Sequence, residues 1–146
     1  MLRPVLVAVF ATAIAAPISA QAPHYRARLS VVPLDIPMQA TIAGAGSATA
    51  TLKGSTLSIT GTFSGLKTPA TVARVHRGPK MGTRGGPIGD LTATSGTTGT
   101  ISGLIELTKE QIEDLAAGRI YIQLHSEKAP DGNLWGWLLA ADSQKK

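Results

Sequence analysis

The chain has 146 residues, 16 glycines, nine prolines, no cysteine, two each of Trp, Tyr and Phe, and a formal charge of +5 at pH 7. That length suits one domain with a core of its own. The missing cysteine excludes a disulfide framework, a thiol nucleophile, a thiolate metal site and the cysteine-borne lipid anchor of bacterial lipoproteins.

Met1 to Ala20 reads as a secretory signal peptide. Arg3 supplies the positive start, Val5 to Ala16 the apolar stretch, and Ile18-Ser19-Ala20 a small residue at the cleavage position. The apolar run is short for a membrane span. The expected organisation is therefore 1–20 signal peptide and 21–146 a single domain. The mature chain starts at Gln21, is secreted or periplasmic, and keeps no membrane span after signal removal. It loses the one charge of Arg3.

Tyr25 to Val32 alternates Tyr25, Ala27, Leu29 and Val31 against Arg26, Arg28 and Ser30, the pattern of a half-buried strand. Pro33 and Pro37 break it. Gly46 to Leu52 and Thr56 to Phe63 predict a hairpin around Lys53-Gly54-Ser55. In its second arm Leu57, Ile59 and Phe63 face in, and Thr56, Ser58, Thr60 and Thr62 face out. Ala70 to His76 is the next strand, and Arg77 to Gly89 a glycine-rich surface loop. Leu91 to Thr94 and Thr100 to Leu107 pair around residues 95–99.

A short helix near residues 109–117 follows. Thr108 is a good N-cap, Gln111 completes a capping box, and Gly118 stops the helix as a residue that accepts a left-handed conformation. The carboxylates Glu110, Glu113 and Asp114 are explained by the helix dipole and by solvation. The next strand sets Ile120, Ile122 and Leu124 on its core face and Tyr121, Gln123 and His125 on the other. Pro130-Asp131-Gly132 has the composition of a turn. The last strand then puts Trp135 and Trp137 on one face, placed to cover the small helix or an edge of the sheet. Short strands, frequent turns and one helix predict a mainly β fold, an antiparallel β-sandwich of Greek-key, Ig-like or superoxide-dismutase-like type.

The stretch Leu107-Thr108, Gln111, Leu115, Gly118, Tyr121-Ile122-Gln123-Leu124-His125-Ser126 and Pro130-Asp131-Gly132-Asn133-Leu134-Trp135-Gly136 resembles the C-terminal half of the CHRD domain, the module first defined in chordin. A second motif of that family, Ala-His-Ile-His-Arg-Gly-Pro, is matched by Ala73-Arg74-Val75-His76-Arg77-Gly78-Pro79. The resemblance implies an exported binding or interaction module without catalysis. It assigns a structural part to Tyr121, Gln123, Gly132 and Gly136.

Two groups are candidates for a site. His76 and His125 each end a strand, away from its apolar face. A neutral imidazole can ligate a metal, so a metal-binding protein or metalloenzyme using this pair is the alternative function. Arg74 stands where the family has its first histidine, and a guanidinium cannot ligate. We read the pair instead as lying at one end of the fold and hydrogen-bonding loop backbone. Arg74, Arg77, Lys80 and Arg84 form a basic run that suits an anion, with an extracytoplasmic protein or an anionic polymer as partner. Export and the lack of interleaved aromatics exclude nucleic acid. There is no Gly-x-Ser-x-Gly elbow, and no cofactor is implied.

Overall fold

The computed structural model describes residues 21–144. The expected leader, 1–20, lies outside the described residues. The strands are β1 (His24–Val31), β2 (Ala45–Lys53), β3 (Thr56–Ser64), β4 (Ala70–Arg77), β5 (Gly86–Ala93), β6 (Gly99–Glu106), β7 (Ile120–Ser126), β8 (Ala129–Trp137) and the two-residue β9 (Leu139–Ala140). The helix α1 (Lys109–Ala116) lies between β6 and β7.

The pairings among these strands are antiparallel, and they close. The order runs β2-β3-β6-β5-β4-β7-β8-β1, and β1 returns to β2. Two strands make the corners by changing partner along their length. β1 pairs with β2 through residues 24–29 and with β8 through Ser30 and Val31. β5 pairs with β4 from Gly86 to Leu91 and with β6 through Thr92 and Ala93. β9 keeps the register of β8 against β1, since Tyr25 faces Ala140 as Ser30 faces Trp135. Closure leaves none of β1 to β8 as a terminal strand, with the two corners closed by two residue pairs each.

The alternation read from the sequence decides what fills the interior. Leu29, Leu57, Ile59, Ile101, Ile122 and Leu134 are buried inside, while Ser47, Thr49, Thr60, Thr62 and Ser102 face water. The β2–β3 hairpin forms as expected, with Gly54 at φ +61° in its turn. The helix carries the full capping box: Gln111 N–H donates to Thr108 Oγ1 at 3.2 Å, and Thr108 N–H donates to Gln111 Oε1 at 2.9 Å. Gly118 follows the C-cap at φ +73°. The core is mainly β with one short helix, as composition implied.

Three local expectations are corrected. Gly86 to Gly89 belong to β5 rather than to a loop, because the pairing with β4 supplies the order that glycine and proline lack locally. Pro130-Asp131-Gly132 is not the turn. The hairpin turns at Glu127-Lys128, where Ser126 faces Ala129. From Leu124↔Leu134 to Ser126↔Ala129, one residue of β7 stands opposite four of β8, so Pro130 to Asn133 form a bulge, where a proline forfeits no ladder bond. Asp114 is not solvated. It is buried and takes both Arg119, at 3.1 Å, and Arg77.

Candidate functional site

Strand pairing lays out the outer face of β4, β7 and β8 as a grid. Arg74 faces Gln123, which faces Trp135. His76 faces Tyr121, which faces Trp137. His125 stands beyond them, against the β8 bulge. On a simple reading of alternation this face meets water. Instead every residue of β7 is buried, on both faces. Tyr121 is 1% exposed, Gln123 3%, His125 6% and His76 8%.

The cover is residues 78–85, which fold back over the grid. Tyr121 Oη accepts from Gly85 N–H at 3.0 Å and donates to Gly85 O at 3.2 Å. His76 Nδ1 donates to the same carbonyl at 2.9 Å. Glycine is required where this segment touches. A β-carbon on Gly78 would come within 2.9 Å of Trp137 Cη2. One on Gly85 would collide with the carbonyl group of Arg77. The bulge is held in the same way. His125 Nδ1 donates to Pro130 O at 2.8 Å, and Gln123 Nε2 and Arg84 Nη1 donate to Asp131 O at 3.1 and 3.0 Å.

Beneath the cover the rings form one cluster. His76 stacks on Tyr121 at 4.9 Å between centroids, and Tyr121 meets Trp137 at 4.4 Å and Trp135 at 5.8 Å. The Arg84 guanidinium lies 5.6 Å from the Trp135 ring. The tryptophans therefore pack on Tyr121, rather than over α1. His76 and His125 are brought together, with ring centroids 6.4 Å apart. Among the described residues, no three His, Cys, Asp or Glu side chains gather as a metal-holding group.

The basic run does not form one surface. Arg74 lies on the outer face and donates to Asp90 at 3.0 Å. Arg77, three positions on, leaves by the other side and reaches Glu110 at 2.6 Å and Asp114 on α1. Strand alternation separates these two arginines, and acids distant in the chain occupy them. Of the four, Lys80 and Arg84 sit exposed on the covering segment.

Burial is the main cause that holds both imidazoles below their ordinary range. For His76 the bond to Gly85 O opposes it, and His125, Arg74 and Arg84 reinforce it. For His125 Pro130 O opposes it, Arg74 and Arg84 reinforce it, and Asp131 opposes it. Between these lowered values and the ordinary 6.5, the unfolded chain binds more protons than the folded one. Stability is thus present above pH 6.5 and falls as pH drops below it. The expected slope is at most about 1.4 kcal/mol per pH unit for each histidine. Melting curves between pH 7 and pH 5.5 check this. The parent should lose melting temperature on acidification, and a variant with both His76→Gln and His125→Gln should show a flatter dependence.

Sequence reasoning missed the covering role of residues 78–85 and the hub role of Tyr121. One signal was available: a Tyr, a Gln and two Trp at the supposedly solvated positions of neighbouring strands.

A family model described as CHRD domain matches residues 26–138. No curated protein and no solved structure matches the chain.

Proposed function

Because the chain belongs to the CHRD domain family, we propose that it is an exported binding module without catalysis, and that its contact surface is the segment 78–85 with the adjoining edges of Trp135 and Trp137. The observation that carries this reading is the Tyr121 hydroxyl, which engages both backbone groups of Gly85. His76 and His125, the two motif histidines, likewise spend a ring nitrogen on backbone carbonyls. Groups used in this way hold a loop in place; they do not present themselves to a substrate. Among the described residues, no hydroxyl or carboxylate is bonded to either imidazole, as a nucleophile or its orienting acid would be. The supported segment displays Lys80, Arg84 and Met81, the last 57% exposed. A fixed loop with cations and a soft apolar side chain suits an acidic partner, either an extracytoplasmic protein or an anionic polymer.

Export rests on the three-part pattern of Met1 to Ala20. The closed strand order also supports a Greek-key reading, since β3 lies beside β6 and β7 beside β4 around the consecutive strands β4, β5 and β6.

One preparation tests both parts. Expressed at full length, the protein should be recovered outside the cytoplasm with Gln21 as its first residue. A retained Met1 on that material contradicts export. On a sulfated polysaccharide matrix, changing Lys80 and Arg84 to Ala should lower the salt needed for elution more than changing Lys53 and Lys109 to Ala, an equal loss of charge elsewhere. Equal shifts for the two pairs would mean that net charge alone governs retention and that the segment is no contact surface.

A further inference from the structure

The supporting role consumes one nitrogen of each imidazole and leaves the other. A carbonyl oxygen only accepts, so Nδ1 of His76 and of His125 carries the proton and Nε2 carries the lone pair. His76 Nε2 is buried and has no hydrogen-bond partner, and the same is true of Gln123 Oε1. His125 Nε2 has the Gln123 amide nitrogen at 3.5 Å, the outer limit of such a bond, and that amide already donates to Asp131 O at 3.1 Å. Acceptors therefore lie on three side chains that are each more than nine-tenths buried, two of them without a donor and the third with only the long contact from Gln123. Leaving buried acceptors unmatched is unfavourable, and a bound cation would relieve it.

We propose that His76 and His125 form a two-imidazole site for a cuprous ion, bound through both Nε2 atoms with Gln123 Oε1 as a weak third donor. Two independent features point there. An Nδ1–H donated to a backbone carbonyl is the arrangement that fixes the tautomer and aim of a metal-ligating histidine, and both histidines have it. The ring centroids stand 6.4 Å apart, a separation at which two imidazoles can share one ion. The surroundings select the ion. No third His, Cys, Asp or Glu joins the pair among the described residues, so zinc, which takes four ligands in structural sites, is left short. Arg74 and Arg84 act on both imidazoles, and a divalent ion would meet twice the repulsion that a monovalent one does. A soft monovalent d¹⁰ ion accepts two nitrogen donors and carries the smaller charge.

The site is independent of what the exposed segment binds, so failure of one leaves the other standing. The test uses the metal-free parent protein under anaerobic reducing conditions, titrated with Cu(I) against bicinchoninate and followed by imidazole ¹⁵N spectroscopy. We expect one equivalent to be withheld from the chelator. The Nε2 resonances of His76 and His125 should move together, with their Nδ1–H signals retained and those of His24 unmoved. His76→Ala should lose that equivalent; the resonances of the parent give the answer even if the variant folds poorly. No competition with the chelator would overturn the proposal and leave the acceptors to buried water. So would copper taken up with His76 and His125 unmoved, or Zn²⁺ held by the same two nitrogens in preference to Cu(I).

Discussion

Tyr121→Ala is expected to cost about 3–5 kcal/mol of stability, read as a lower urea midpoint. The side chain is 1% exposed and central to the outer cluster, with His76, Trp135 and Trp137 within 6 Å between ring centroids. Its removal opens a cavity that the backbone of β4, β7 and β8 cannot close, because the closed barrel fixes those strands. It also releases Gly85 N–H and leaves Gly85 O with His76 Nδ1 as its donor. Tyr121→Phe separates the two effects. It keeps the ring and loses only the hydroxyl, so it should cost the smaller sum of about 1–3 kcal/mol. A Tyr121→Ala variant as stable as the parent would mean that the outer layer is only loosely laid over the barrel.

Gly85→Ala is expected to lift the covering segment. The new β-carbon would stand 2.7 Å from the carbonyl carbon of Arg77 and 2.9 Å from Gly78 Cα, and it would overlap the Arg77 oxygen. All of these are backbone atoms, so no side chain can rotate away and the segment itself must shift. A cost of about 1–3 kcal/mol is expected from that crowding. A red shift of tryptophan emission should accompany it, as Trp137 loses its cover. Gly82→Ala is the comparison, since nothing lies within 4 Å of a β-carbon there and the only strain is its φ of +83°. It should leave the emission unchanged. Equal spectra for the parent and Gly85→Ala would show that the contact at Gly85 does not hold the segment down.

How far the sequence could be read depended on whether its signals were local. The Thr108–Gln111 box, the Gly118 stop and the β2–β3 alternation depend on neighbours in the chain, and each appears where the sequence placed it. The inward row Ile120, Ile122 and Leu124 was equally plain. The outward row of β7 was misleading, because Tyr121, Gln123 and His125 have the polarity of a solvated face. Their cover comes from Gly85, 36 positions away from Tyr121, and from a bulge whose proline and glycine imitate a turn. Burial of Asp114 was hidden for the same reason: its partner Arg77 comes from β4, distant in the chain, where it stands among other basic residues. Barrel closure through β1 and β8 is a pairing of the two ends of the domain, which no window of sequence contains.

The central claim is that the family-motif residues hold the segment 78–85 against the barrel. Its most direct test is the exchange rate of a single amide. Gly85 N–H has Tyr121 Oη as its partner, and Tyr121→Phe removes that atom alone. Measured by hydrogen exchange at one pH and temperature, the Gly85 amide should exchange much faster in Tyr121→Phe than in the parent, while the amides of Ile59 and Ile122 in the barrel wall change no more than the overall loss of stability requires. An unchanged Gly85 rate, or a rise equal to that of the barrel wall, would contradict the claim.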